Sequence, residues 1–455
     1  MADEQTNFQV APTQEEAERL ADRVMGWAKA DEVMVEIAAT TTSEAEFARN
    51  ELSHLEGDTE ILLDLGVSVG GKRMRLATHD LTEGHLSQLV EEAQDLASSR
   101  DVVSPGSMLP AQSPVELPKG MFFESTAAAA SPEAHGSAVL SVVEKSRKSD
   151  FLTAGTLLRE TGSSLIRSTS GYGGFSRYSY AEFSMSARTK TGGTGAGWAW
   201  AGNEDANKVD VDDVASRAID LATRTENAVA VEPGRYTVIL EPEATAQILR
   251  EIMMRFTSFI QAEAAETAGN VFSRPGGGTR VGEQMTDPRV QVLYDPYDPQ
   301  MPFSPIDRNT MMKRTHWLRN GQLQTMAYNP GYARDHDLPV TPNPRRLRMD
   351  FDDIKLSREE MIGNTRRGIL VTRFSSLGLV DGETLLLSGV TRDGTFLIER
   401  GEISRPIRNM RFLESPFYLL NKIESAGVSV RSQRDLVTPR LLVNDFEFTA
   451  LSDAI

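Results

Sequence analysis

The stretch from Tyr236 to Ile260 constrains the fold most. A strand-like run, Tyr236-Thr237-Val238-Ile239-Leu240, leads directly into Glu241-Pro242. Proline suits a first helical turn, where its missing N–H costs nothing, and acids at 241 and 243 oppose the positive end of the helix dipole. Ile248, Leu249, Ile252, Met253, Phe256, Phe259 and Ile260 then recur at helical spacing and form one apolar stripe. The run predicts a long helix over 243–266 that opens the C-terminal half. At about 100° per residue, Arg250 and Glu251 fall outside the stripe and Arg255 on its flank. The three are expected to face a cavity or an interface and not the core. On an exposed helix Glu251 and Arg255 form an i, i+4 pair worth ~0.2–0.5 kcal/mol.

Ahead of this helix the chain reads as alternating runs closed by helices. Residues 1–12 are expected to be a disordered tail. Thr13-Gln14-Glu15-Glu16 is a capping box opening a helix to about Lys29. Val33–Thr41, a stretch around 45–49, Glu60–Val69 and Lys72–Thr78 read as strands, the last two joined through Gly70-Gly71. A helix from Thr82 carries Leu86, Leu89, Val90, Ala93 and Leu96 on one face. Residues 101–120 hold four prolines and read as a loop. A second round follows: a helix over 131–148, strands near 152–160, 163–169, 174–188 and 195–201, and a helix over 211–225. This order fits an antiparallel sheet with helices on one face.

Val231-Glu232-Pro233-Gly234 reads as a linker. Beyond the 243–266 helix the chain is rich in strands and turns. Asn320-Gly321, Asp381-Gly382, Asp393-Gly394 and Arg400-Gly401 are expected hairpin turns, and Pro296–Pro305 and Pro339–Pro344 mark long irregular segments. The expected fold class is α+β: an N-terminal α+β domain over 13–230 and a C-terminal β-rich domain over 235–455 opened by the long helix.

At 455 residues the chain is long enough for such cores, and 40% hydrophobic with 25% charged residues suits a globular protein. A net charge of −17 argues against a general phosphate-binding surface, so no nucleic acid is expected. The absence of Cys removes disulfides, thiolate ligands and Cys nucleophiles. Met1–Gln9 is polar and acidic and no run reaches the ~18 apolar residues of a membrane span. A cytoplasmic location without membrane attachment is expected. Of six His, only His79 and His85 are close in sequence, at a spacing that matches no common metal site. There is no Gly-x-Ser-x-Gly elbow. Ser168–Gly174 is Gly-rich but lacks the lysine of a phosphate loop, and reads as a turn between strands.

Leu249-Arg250-Glu251-Ile252-Met253-Met254-Arg255 resembles the metal motif of the TldD/PmbA metalloproteases with its ligands replaced. That family carries His-Glu-x-x-x-His on a helix in this place. Arg250 takes the first His, Glu251 keeps the Glu and Arg255 takes the second His. Two further blocks strengthen the resemblance: Leu318–Leu323 with Tyr328–Arg334, and Thr395–Ile403 with Arg405-Pro406-Ile407. Their order and spacing match the family as well. The resemblance is strongest over 235–425 and loose before 230.

In catalytic members, the resemblance implies, the two His bind a metal together with a Cys near the C-terminus, and the Glu serves as general base. Here both His positions are Arg, which offers no lone pair to a metal. The Cys position would fall around Val428–Ser432, where no Cys stands. No catalytic residue and no metal or other cofactor is therefore expected in this chain. The resemblance implies a non-catalytic PmbA/TldE-like subunit. It would pair with a zinc-bearing TldD-like catalytic subunit acting on unfolded or small peptides. The alternatives are a homodimeric peptide-binding module without a proteolytic role, or a peptidase with an unrecognised site.

Overall fold

The computed structural model describes residues 11–101, 103, 115–129, 132–148, 150–190, 193–252, 262–308, 310–341 and 346–452. The expected tail falls outside these at 1–10, whereas Pro12 is buried. The 101–120 loop lies largely outside them too.

The first half is one six-stranded antiparallel sheet. Its strands are β1 (Glu32–Ala48), β2 (Glu51–Val69), β3 (Lys72–Thr78), β4 (Phe151–Ser168), β5 (Gly174–Thr189) and β6 (Ala196–Asn203), in the order β3-β2-β1-β4-β5-β6. Odd-numbered residues of β1 point to one face. Val33, Val35 and Ile37 pack with Leu63 and Leu65 of β2 under helices α1 (Gln14–Trp27) and α2 (Glu83–Ser99). Further along that face Ala45 and Phe47 pack with Phe183 and Met185. The short helix α3 (Glu124–Ala129) precedes α4 (Pro132–Arg147), which covers this patch together with α5 (Val211–Arg224). Each large side chain buried here is worth roughly 1.5–3 kcal/mol. The Thr13–Glu16 capping box forms as expected and starts α1. On α2 the apolar face differs by one position: Leu96 is exposed and Ala97 is buried.

Four expected strands merge into two. Thr40-Thr41-Thr42 and Glu160-Thr161-Gly162 interrupt the apolar alternation, yet they pair with each other, Thr41 opposite Thr161. Gly162 allows this, since a Cβ there would sit 2.3 Å from the Tyr178 ring. The first half of β2, Glu51–Thr59, is almost wholly exposed and polar, so no alternation marks it. It follows a two-residue turn in which Arg49 and Asn50 take φ of 53° and 62°.

The helix-free face of this sheet meets the C-terminal half. Met34, Ile166 and Tyr172 pack with Ile306 and Met311 there, and Tyr172 donates its hydroxyl to the Asp307 carbonyl at 2.5 Å.

The C-terminal half holds two sheets. Strand β7 (Gly234–Leu240) lies between β12 (Arg367–Asp381) and β19 (Leu441–Leu451). Strands β15 (Met410–Glu414) and β13 (Leu386–Glu399) continue the sheet, and β13 pairs back to β12, so five strands close on themselves. The second sheet includes β8 (Val290–Tyr294), β11 (Leu347–Phe351), β18 (Leu436–Thr438) and β17 (Val430–Gln433). Three expected turns join strands, at Asn320-Gly321, Asp381-Gly382 and Arg400-Gly401. Asp393-Gly394 does not. It is a bulge inside β13, with φ of 54° and 141°, where the extra backbone lies opposite Thr372. A positive-φ Asp-Gly pair serves a bulge as well as a turn, so the dipeptide alone is ambiguous. Between the halves, Val229 pairs with Ile407, so the expected linker is pinned just upstream.

Candidate functional site

The central helix, α6 (Pro242–Arg250), starts as the sequence requires, with Glu241 at the N-cap and Pro242 in the first turn. It is covered on most sides: Ala244, Thr245, Ala246, Ile248 and Leu249 are all buried. Glu243, Gln247 and Arg250, spaced i, i+4 and i+7, form its one half-buried stripe. At Glu251 and Ile252 the hydrogen bonding becomes π-helical. A π turn closes i→i+5 bonds, and such turns are frequent at functional sites. Glu251 is 4% exposed, contrary to the cavity-facing position expected from regular helical geometry. Arg255, the third motif position, lies outside the described residues, as does most of the C-terminal part of the expected 243–266 helix.

Arg250 is clamped. Its guanidinium meets the Asp435 carboxylate in a two-point ion pair, Nη2 to Oδ1 at 2.5 Å and Nη1 to Oδ2 at 3.2 Å. Its Nε also donates to Gln433 Oε1 at 2.9 Å. Fork-to-fork bonding of this kind fixes orientation as well as distance. It ties the end of α6 to the β17–β18 hairpin. That hairpin contains part of the Val428–Ser432 stretch, so the structure brings the first motif position beside the region expected for the missing Cys. The polar side chains of that stretch are otherwise engaged: Ser429 donates to the Met349 carbonyl at 2.8 Å, and Ser432 bonds Thr438 at 2.7 Å.

Neighbouring arginines join this hairpin to the first sheet. Arg431 reaches Glu204 at 2.7 Å, both side chains under a tenth exposed. Arg434 reaches Glu160 at 2.5 Å and lies over the Tyr180 ring at 4.4 Å. Burial pulls the Arg434 pKa down, but bonding to Glu160 outweighs it and holds the group above its ordinary value. Burial, with the Glu160 charge, pushes the Tyr178 phenol up to about 12. Burial also lowers Arg346, which donates to the Pro302 carbonyl at 3.1 Å. Around this end of α6, Arg250, Arg346, Arg431 and Arg434 face Asp435, Glu204 and Glu160. Asp435, Glu204 and Glu160 each carry an arginine partner, so these three carboxylates offer no vacant donor set for a metal ion.

The histidines do not converge. His79 bonds the Ile61 carbonyl at 3.0 Å, His85 bonds Thr78 at 2.9 Å, and His336 stacks on Tyr332. Among the described residues, no group of three or more His, Asp or Glu side chains is arranged to hold a metal. Sequence reasoning missed the partners Gln433 and Asp435 and the Glu204–Arg431 pair, since nothing in local spacing links positions about 200 residues apart. It also missed the hold on Glu241, a buried side chain that accepts from Arg358 at 2.6 Å and Arg440 at 2.7 Å.

Residues 233–450 match the PmbA/TldA metallopeptidase C-terminal domain. No curated protein sequence matches the chain. Solved structures share its fold, among them these three. A candidate modulator of a DNA gyrase from Thermotoga maritima superposes with a TM-score of 0.82 at 17% identity, over 95% of this chain and 100% of the other. One of the same description from Bacteroides thetaiotaomicron gives 0.80 at 17% identity, over 96% and 100%. TldE from Thermococcus kodakarensis gives 0.79 at 16% identity, over 95% and 99%. Among the described residues no helix is long and apolar enough to cross a membrane.

Proposed function

The C-terminal half of the chain, residues 233–450, is a domain of the PmbA/TldD metallopeptidase family, and from that premise we propose that the chain is a non-catalytic, PmbA/TldE-like subunit. It completes and stabilises a zinc-bearing TldD-like partner that cleaves unfolded or small peptides in the cytoplasm. The observation that carries this reading is the Arg250 clamp. A permanent cation, held at two points by Asp435, stands at the helix position where a catalytic member is expected to offer a His to its metal. Arg250, Glu251 and Arg255 are then a motif retained in outline and without its chemistry.

The test is reconstitution. Mixed with a TldD-like subunit from the same organism, the chain should co-elute on size exclusion and raise cleavage of an unfolded peptide. A partner that is fully active alone, and whose elution and rate this chain leaves unchanged, would overturn the reading in favour of an independent peptide-binding module.

A second expectation concerns the metal. The purified chain should carry no stoichiometric zinc, and Arg250→His with Arg255→His should not by itself yield a peptidase, because the third ligand is still absent. Elemental analysis checks the first part and a peptide cleavage assay the second. One tight zinc per chain, or robust hydrolysis by the double variant, would show that the site's requirements had been misread.

A further inference from the structure

At the other end of α6 the two halves of the chain line a second polar space, an open cleft. A cavity of about 470 Å³ lies where α5 and β6 meet α6 and β12. Arg217 and Arg224 from α5, Trp198 from β6, Arg373 from β12, Arg358 and Glu243 shape it. Its size is that of a small-molecule pocket. It stands apart from the Arg250 cluster, since Glu243 and Arg250 are seven residues apart on one helix, or about 10 Å along its axis.

The ionisable groups on its walls are mostly spoken for. Glu241 is held by Arg358 and Arg440. Asp220 lies 3.8 Å from Arg224, and Arg217 bonds Asp213 at 2.8 Å. Arg373 lies over the Trp198 ring and 3.5 Å from Asp393. Glu243 is the exception: among the described residues it makes no hydrogen bond or ion pair to another residue's side chain. Arg358 uses only its Nε, and the Nη1 of Arg217 likewise bonds nothing among the described residues. The walls therefore offer one carboxyl that accepts from its own backbone N–H but has no side-chain partner among the described residues, and guanidinium N–H groups left over from their pairings, beside the apolar surface of Leu221 and Ala199.

We infer that this cavity binds a short zwitterionic peptide or free amino acid, its ammonium on Glu243 and its carboxylate on Arg217 and Arg358. A single-sign ligand would satisfy half of these groups and face repulsion from the other half. A zwitterion satisfies both, and charge-assisted bonds to each end give it register. The choice of ligand rests on the peptide-processing role proposed above, since such ligands are what peptide cleavage releases.

Burial raises the Glu243 carboxyl to about 7; the bond from its own backbone N–H opposes this, Glu241 adds to it, and Arg217 and Arg440 oppose it. Arg373, Arg358 and Arg224 also face the space from their own elements. Ammonium binding requires the carboxylate, so affinity should rise with pH through 7. It should then fall above about 8, where the ligand's α-amine loses its proton.

The test is calorimetric titration of the isolated full chain, which needs no partner and no catalysis. Alanyl-phenylalanine is compared with its N-acetyl form and its C-terminal amide. The free dipeptide should bind about ten-fold more tightly than either blocked form, and about five-fold more tightly at pH 7.5 than at pH 6. Glu243→Gln should remove most of the affinity and the rise with pH. Absence of binding, or a blocked form that binds as well as the free dipeptide, would overturn the proposal. The blocked-ligand comparison uses the unmodified protein, so it stands even if the variant folds poorly. Failure of reconstitution with a TldD-like subunit, by contrast, would leave these binding results intact.

Discussion

Arg431→Ala is expected to destabilise the protein by about 3–5 kcal/mol, the cost of stranding a buried charge. Arg431 and Glu204 are 8% and 7% exposed and 2.7 Å apart. Arg431 also donates to the Gln300 carbonyl at 3.0 Å and the Arg434 carbonyl at 2.6 Å, so its loss strands two acceptors besides the carboxylate. The pair joins the end of β6 to the β17–β18 hairpin, and therefore one half of the chain to the other. Replacing both members, as Arg431→Met with Glu204→Gln, should recover much of the loss, because neither charge is then left alone. Urea unfolding of Arg431→Met, Glu204→Gln and the double variant measures the coupling directly. A single variant within about 1 kcal/mol of the parent would show that water reaches the pair and that it does not hold the halves together.

Glu241→Ala is expected to cost ~3 kcal/mol by the same physics applied at a helix terminus. The Glu241 carboxylate is 7% exposed and takes Arg358 on one oxygen and Arg440 on the other. It thereby joins the strand-to-helix corner before α6 to the helix Arg358–Asn364 and to the turn before β19. Removing the carboxylate leaves two guanidinium groups facing one another. Removing one arginine leaves the acid with the other, so Arg358→Met or Arg440→Met alone should cost less, ~1.5–3 kcal/mol. Chemical unfolding of the three variants gives the ranking. If Glu241→Ala proves milder than either arginine variant, the carboxylate is not the hub of this corner.

Elements with strong local signals are legible in the amino-acid sequence. The capping box at Thr13, the Asn320-Gly321 turn and the Glu241-Pro242 helix start each depend on residues within one turn of each other. Errors arise where a distant contact overrides the local pattern. Gly162 reads as a strand breaker and is instead the place where the Tyr178 ring crosses the sheet. Asp393-Gly394 reads as a turn and is a bulge, because β13 continues past it against β12. Glu51–Thr59 carries no alternation, since neither face of that strand end is buried, and only pairing with β1 reveals it.

At the candidate site the division is sharper. The sequence by itself determined that no Cys is present and that Arg stands at 250 and 255, which removes lone-pair donors whatever the fold. It also placed Arg250 on the polar side of its helix, since the 3.6-residue period follows from backbone geometry alone. Only the tertiary structure decided what that arginine does. Asp435 and Gln433 lie more than 180 residues away in the chain, and their side chains meet Arg250 because β17 and β18 pack against the end of α6. The burial of Glu251 was decided in the same way: a helix wheel assigns one face to the core, but a helix enclosed by two sheets has little face left for solvent.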